Sequence, residues 1–446
     1  MENRIRKQFW MLVLVFASLV TSAQNGAFSL EEAQDYAVQN SFILKNSRHD
    51  IASAQKEVWK TITIGLPQVS GTASYTKFLD LPVSLIPGEF FGGEPGTYMP
   101  VKFGQDYNSD FGFSVSQIIF DGSYIVGVGS AKIYLDLRKH ANEKSEIEIR
   151  DAVTQAYYMV LIGTQNKRIM EENLHLSKNL LIETRAYFDN GFREESDVDQ
   201  MSILVKNSEN EILKAEREIA VAKVVLKYAM GYPMAEEIEL ADKLDGFVNP
   251  LLGANRISAM DVAGHIDYRL AETNYMVSEK MLRLEKAAFL PKLSAFYNYS
   301  KVAYGNQANL FKPGVSWFPS SMVGLQLSVP LFSSGSKILS VQQAKIELDK
   351  ASNDRKLAET TLQKDYLTAA AEMETAREQY ENDVENRQLA SRILEKAKIK
   401  FRNGLATSTE LSQLETQYLQ THGAYIVSVL QLLQADLKLK KALGTL

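Results

Sequence analysis

The chain is written twice. Leu66-Pro67 in GLPQVSGTASYTKF recurs as Leu290-Pro291 in FLPKLSAFYNYSKV, 224 residues on. Phe120 in FGFSVSQIIFDG recurs as Phe332 in VGLQLSVPLFSSG, 212 residues on. Phe188 and Asn190-Gly191 of YFDNG recur as Phe401 and Asn403-Gly404 of KFRNG, 213 residues on. A duplication of this kind restricts the fold to two equivalent parts, each carrying the same order of elements. The offset changes by 12 between the first two matches, which places a longer connection in the first copy, residues 79–109.

After each Asn-Gly the apolar positions step alternately by three and four. In the second copy they run Leu411, Leu414, Tyr418, Thr421, Tyr425 and on to Ala442. At the same ranks the first copy has Val198, Met201, Val205, Ser208, Ile212 and on to Ala229. Such spacing held over four heptads predicts a coiled-coil seam, with helices over 195–230 and 408–443. A single amphipathic helix on a globular core would show a wider stripe and no duplicate.

The runs before each Asn-Gly predict longer helices still. Residues 337–403 contain no Gly and no Pro, and 133–189 contain only Gly163. Both are rich in good helix formers. At ~1.5 Å per residue each reaches roughly 85–100 Å, so they belong to an elongated bundle. Asn and Gly tolerate the left-handed conformation that ends a helix, so each long helix returns through a tight tip. Two shorter helices precede the strands. One opens at Ser29 with Glu32 in a capping-box pattern; the other spans about 257–288 and opens at Ser258 with Asp261.

Val323, Leu325, Leu327, Val329 and Leu331 alternate with Gly324, Gln326, Ser328 and Pro330, a period of two. The first copy alternates Phe111, Phe113 and Val115 with Gly112, Ser114 and Ser116. The companion strands are residues 69–78 and 293–302, where Tyr75, Phe296, Tyr297 and Tyr299 mix with small polar residues. Strands of about ten residues match a tilted bilayer crossing. Four strands leave open edges, which a membrane does not tolerate, so closure needs several chains. Two copies give eight strands and three give twelve, and the strand pattern leaves this open. The loops 79–109 and 303–321 hold six of the 11 prolines and the aromatics Phe90, Phe91, Tyr98, Phe311, Trp317 and Phe318, a composition that suits barrel-mouth loops at a membrane interface and equally suits ordinary packed loops.

The first residues read as a secretory signal peptide. Arg4, Arg6 and Lys7 precede the run Phe9 to Val20, apolar except for Ser18, and Thr21-Ser22-Ala23 offers a cleavage site, so 1–23 is assigned to it. No later segment has ~18 consecutive apolar residues, so a membrane-inserted mature chain must be a closed barrel. The chain has no cysteine, which excludes disulfides, thiolate metal sites and cysteine nucleophiles. A net charge of −5 gives no footprint for nucleic acid. The five histidines, His49, His140, His175, His265 and His422, show no metal-ligand spacing. Gly127-Val128-Gly129 begins like a dinucleotide fingerprint, but Lys132 stands where a third Gly is needed, and the pair is read as a close-packing turn. No enzyme and no cofactor is expected.

The order of helix, strand, loop, strand, long helix, Asn-Gly tip and helix occurs twice after the signal peptide. With the Leu-Pro junctions, the FDG and FSSGS turns and the ending Ala442-Leu443-Gly444-Thr445-Leu446, it resembles the TolC-type outer membrane efflux family across the mature chain. The resemblance implies a mainly α fold with membrane β: a homotrimer whose four strands per chain share one 12-stranded barrel in the outer membrane. Its helices form a long coiled-coil tunnel in the periplasm. It implies an efflux or export channel for small molecules, passive, and served by an inner-membrane transporter and a periplasmic adaptor, the membrane fusion protein, docking at the tip. The repeats are then 24–230, with a tip near 190–194, and 257–446, with a tip near 403–407; 231–256 is an equatorial segment. The competing reading is a periplasmic coiled-coil adaptor or scaffold that never enters the membrane and needs no detergent.

Family members close the tunnel with acidic and polar residues near the tip. Six residues past each tip Gly stand Asp197 and Glu410. Phe401 holds the aromatic place three residues before Gly404; Ala406 stands where an arginine is expected, and Gln413 where a second carboxylate is. A less negative constriction follows. Arg193 is a further candidate for gate or adaptor contacts. Asp197 and Glu410 also suit the positive ends of their helices.

Overall fold

The computed structural model describes residues 27–253 and 260–446. The expected signal peptide and Ser258 lie outside the described residues. In chain order the elements are α1 (Leu30–Asn40), α2 (Phe42–Thr63), β1 (Gln68–Lys77), β2 (Val83–Pro87), β3 (Tyr98–Lys102), β4 (Tyr107–Asp121), α3 (Gly122–Asp189), α4 (Glu195–Met230), α5 (Leu244–Leu252), α6 (Ile266–Ala287), β5 (Lys292–Gly305), β6 (Trp317–Ser328), α7 (Ser336–Arg402) and α8 (Ser408–Leu443). Among the described residues no helix is long and apolar enough to cross a membrane.

The chain divides into two compact units, each drawing on both sequence halves. The helical unit takes residues up to Arg48, then Asn142–Ile266 and Glu359–Leu446. Its seam is the expected one: Val198, Met201, Val205, Ser208, Ile212 and Ala215 of α4 are buried, as are Leu411, Ser428, Leu432, Ala435 and Ala442 of α8. Its largest core gathers Leu44, Tyr157, Leu226, Met230, Leu432 and Leu433. At one edge of that core the segment before α1 is tied down. The Tyr157 hydroxyl donates to the Phe28 carbonyl (2.8 Å) and to Asp242 Oδ2 (2.9 Å), and the same oxygen accepts from the Leu30 N–H (2.8 Å). Ser29 caps α1, its backbone N–H donating to Glu32 at 2.9 Å while its Oγ accepts from the Glu32 N–H, as the capping box predicts.

The second unit takes His49–Ala141 and Asp267–Ala358. It holds an antiparallel sheet in the order β1-β4-β5-β6 and a separate β2–β3 hairpin. The register aligns the period-two patterns of all four strands. Val69 opposes Val115, which opposes Tyr297, which opposes Val323; Ser70 opposes Ser114, then Asn298, then Met322. One face therefore carries Val69, Ala73, Phe111, Phe113, Val115, Tyr297, Tyr299, Val323, Leu325 and Leu327. The other is mostly Ser, Thr, Gly and Asn, with Ile118, Phe296, Val302, Tyr304, Phe318 and Met322 as apolar or aromatic exceptions; Lys77 and Lys301 are the charged members of the first face. Among the described residues, β1 and β6 end the sheet with unpaired edges.

Several expectations require correction. α3 begins at Gly122, not near 133, because Asp121 Oδ1 accepts from the Ser123 and Tyr124 N–H groups (2.8 and 3.2 Å) and caps a helix at the strand end. Gly127 and Gly129 are thus helical, and a Cβ on either would meet nothing, so they form no close-packing turn. The helix expected from 257 starts at Ile266; Asp261 instead accepts from the Gly264 N–H at 3.1 Å in a turn. β6 ends at Ser328, excluding Val329 and Leu331, since Pro330 has no N–H for the ladder, and it begins earlier, at Trp317. The loop 79–109 contains the β2–β3 hairpin.

Candidate functional site

Both hairpin tips close by the same backbone device. Gly191 and Gly404 sit at φ 77° and 74°, where a side chain would be strained. The Gly191 N–H donates to the Phe188 carbonyl and the Phe192 N–H to that of Tyr187; the Gly404 N–H donates to Phe401 and the Leu405 N–H to Lys400. These are paired Schellman bonds that satisfy the last carbonyls of α3 and α7. Asn190 Nδ2 donates to the Ala186 carbonyl (2.7 Å) and Asn403 Nδ2 to that of Ile399 (2.9 Å), so each Asn also covers a carbonyl one turn back.

The two tips share one small core: Leu180, Met201, Leu204, Leu394, Ala397, Phe401, Ala406 and Leu411. Phe401 is only 2% exposed, so it enters the site by packing and not as a side chain on a free aperture. Arg193 lies over it, with the guanidinium carbon 4.1 Å from the ring centroid, and Nη2 donates to the Phe401 carbonyl. Arg193 thereby links the first tip to the second, and its Nη1 stands 3.8 Å from Asp197 Oδ2. Asp197 Oδ2 also accepts from the Glu194 N–H (3.4 Å), which places its charge at the start of α4. Glu410 is exposed in the first turn of α8, and its N–H donates to the capping Thr407 Oγ1 at 3.1 Å.

Arg193, Asp197 and Glu410 border one recess of ≈ 600 Å³ between the tips, together with Gly191, Gly404 and Ala406. Gln413 is exposed but lies outside that recess. With Ala406 buried where an arginine is expected, the arginine at the recess comes from the other tip. Two cross-tip contacts were not foreseen: Gln200 with Thr409 Oγ1 (3.1 Å) and Arg402 with Glu183 (2.9 Å).

Behind the tips, two polar layers bridge α3 and α8. Asn173 Nδ2 and Ser177 Oγ both donate to Glu415 Oε1, at 2.9 and 2.8 Å, and Glu415 is fully buried. One heptad on, His422 Nε2 meets Asn166 Oδ1 at 3.1 Å. Burial, reinforced by the Arg387 cation, pulls the His422 pKa down to about 4, so the ring is neutral at physiological pH. The signal was present in sequence: Leu411, Glu415, Tyr418, His422 and Tyr425 share one stripe at steps of four and three.

At the loop end of the sheet Tyr75, Tyr107, Phe111, Phe311 and Trp317 form a connected cluster, with centroids 5.3 to 6.1 Å apart. Tyr75, Phe111 and Trp317 stand on the apolar face, where aromatic girdles of membrane barrels stand.

Comparison with known proteins places this geometry. The family model "outer membrane efflux protein" matches residues 34–232 and 265–445, one segment in each sequence copy. The alkaline protease secretion protein AprF of Pseudomonas aeruginosa is 24% identical over 264 residues, covering 57% of this chain and 52% of AprF. The match thus spans about half the length of that relative. The solved outer membrane protein VceC of Vibrio cholerae superposes with a TM-score of 0.69 at 17% identity, covering 93% of this chain and 96% of VceC. CusC superposes with a TM-score of 0.75 at 15% identity, covering 95% of each chain. At such identities the likeness establishes the fold, which is mainly helical with few antiparallel strands. The family match rests on both copies of the duplicated unit, and the chain belongs to the outer membrane efflux protein family.

Proposed function

We propose that this chain is the outer membrane channel of a tripartite export system, a passive conduit from the periplasm to the exterior that performs no covalent chemistry. Three copies close their four-stranded sheets into one 12-stranded barrel by joining β1 of one copy to β6 of the next. The helices form the periplasmic tunnel, and its hairpin tips meet a periplasmic adaptor and an inner-membrane transporter. Arg193, Asp197, Glu410 and Gln413 act at the constriction, and Phe401 holds it from beneath. The repeats span 24–230 and 257–446, with 231–256 between them.

The observation that carries this reading is the sheet: one largely apolar face, one largely polar face, and two edges without a partner among the described residues. A soluble sheet solvates its outer face and protects its edges. Here Val323 and Leu325 stand 80% and 71% exposed beside an open edge strand. That weighs against a scaffold that stays out of the membrane. AprF's name associates it with alkaline protease secretion, and CusC is described by transmembrane channel formation; both support the reading without fixing the cargo.

The test is extraction and reconstitution. The protein is expected in the outer membrane fraction, soluble only with detergent, as an oligomer whose gel mobility changes on heating, and conducting in planar bilayers. Recovery as a detergent-free soluble species without conductance would return the assignment to a periplasmic scaffold.

A further inference from the structure

The two copies differ sharply along their second helices. Residues 416–435 of α8 contain no Asp, Glu, Lys or Arg, whereas their counterparts 203–222 of α4 contain seven. Within and beside this neutral stretch Gln413, Gln417, Gln420, Gln431 and Gln434 fall on a single stripe stepping by three and four, completed by Ala424 and Val427. The stripe lies across the helix from the buried Leu411 and Leu432. Gln413, Gln417, Gln420 and Gln431 are exposed, and Gln434 is half-buried. Among the described residues none of the five side chains has a hydrogen bond within the chain. At the rank of Gln417 the first copy has Leu204, which is buried in the tip core, so the track belongs to α8 alone.

A second observation concerns the wall opposite. Gln431, Gln434, Ala424 and Val427 form one side of a ≈ 770 Å³ cleft, and Thr368, Thr375 and Gln379 of α7 line the other. The cleft is thus walled mostly by amides, hydroxyls and small side chains; its charged members are Glu372 and Lys438, which pair with each other at 2.8 Å, and the buried Asp383, which accepts from Gln379 Nε2 at 2.9 Å. Packing this face against another protein surface would require a partner for every amide in successive layers, because a buried amide without one is costly. Water supplies those partners at once.

Resting on the channel reading above, we propose that this glutamine face of α8 lines the conduit and makes its wall indifferent to charge sign. The cargo class is then polar solutes, anionic, cationic or neutral, held at the wall only by amide hydrogen bonds. A charged lining would concentrate one sign and exclude the other. The neutral stretch of 20 residues is ~30 Å long, several Debye lengths at physiological salt, so charges at its ends are screened from its middle.

The chain has no cysteine, so single-cysteine variants report one position each. Q420C and Q431C are reconstituted as full-length channels in planar bilayers. Cationic trimethylammonium and anionic sulfonate methanethiosulfonates are then added in turn. Both reagents are expected to reduce the current, and their rate ratio to stay within about three-fold of that for a free thiol. Gln434→Glu, one turn from Q431C and on the same cleft, should shift the ratio toward the cation. Conducting channels whose current neither reagent changes would show that the face does not line the conduit, and would overturn the inference while leaving the channel intact. A wild-type-background ratio displaced more than about ten-fold would overturn the charge indifference. Absence of conducting channels overturns both this inference and the channel reading.

Discussion

At the scale of single residues the tip depends on Phe401 being covered. The ring is buried among Leu180, Met201, Leu394 and Leu411 and capped by the Arg193 guanidinium. Phe401→Ala should cost about 3–5 kcal/mol locally, as Phe truncations in cores do. Arg193→Gln should cost about 1 kcal/mol. Both should raise single-channel conductance and speed amide exchange around 401–407, Phe401→Ala more so. Unchanged conductance in Phe401→Ala and Gln413→Ala together would remove both residues from the gate. His422 gives a second expectation, in pH. Its folded pKa, about 4, lies below the unfolded value, so the unfolded chain binds its proton first. Its contribution is therefore complete above about pH 6.5 and is lost as pH falls toward 4, on the order of 3 kcal/mol per chain. The melting temperature of the His422→Asn variant should fall less than that of the wild type over this window; parallel curves would show that His422 is not the group responsible. The site was only partly legible in the sequence. Counting from the tip glycines located Asp197, Glu410 and Arg193, which do meet at one recess. It could not tell that Phe401 faces inward, because an aromatic at a tip serves a gate or a core equally well.

At the scale of elements, the polar layers between α3 and α8 act as register marks. Asn166 and Asn173 stand one heptad apart on α3, as do His422 and Glu415 on α8, and the two helices meet them in antiparallel order. A slip of one heptad would leave at least one buried polar group facing apolar residues. Asn173→Leu should cost about 3 kcal/mol, since Glu415 would keep only Ser177. Adding Glu415→Leu should recover most of that loss in thermal denaturation followed by circular dichroism. A double-variant loss equal to the sum of the Asn173→Leu and Glu415→Leu losses would show the pair to be without coupling. Long elements were the most legible ones. The Gly- and Pro-free run 337–403 became α7, Ser336–Arg402, and the seam predicted α4 and α8 to the residue, because Glu195 and Ser408 follow caps and Gly231 and Gly444 end the helices. Short elements were less so. β6 was displaced by reading Val329 and Leu331 as strand, since apolar alternation continues past the point where Pro330 breaks the ladder. The β2–β3 hairpin was hidden because Pro87 and Pro100 mark turns by habit, yet both occupy a two-stranded ribbon whose outer N–H groups need no partner.

At the scale of the whole molecule, one chain cannot satisfy its own sheet. The edges of β1 and β6 are unpaired and the face between them is apolar, so both demands fall on what surrounds the chain. Joining edges between copies removes the first, and lipid against the apolar face removes the second. Eight strands from two copies would fill their interior with side chains, whereas twelve begin to leave a passage, and Ser, Thr, Gly and Asn on the inner face suit water there. This gives a prediction that depends on the direction a side chain faces. Val323 and Ser320 lie three residues apart on β6 and point to opposite faces. Val323→Arg places a cation in lipid and should cost about 2–4 kcal/mol per chain, multiplied over the copies that share the barrel. Ser320→Arg places it in the lumen, where water solvates it. The heat-modifiable oligomer should therefore be depleted by Val323→Arg and retained by Ser320→Arg, whose channels should shift toward anion preference. Equal tolerance of both arginines would mean that the apolar face meets no lipid, and the barrel would have to be abandoned.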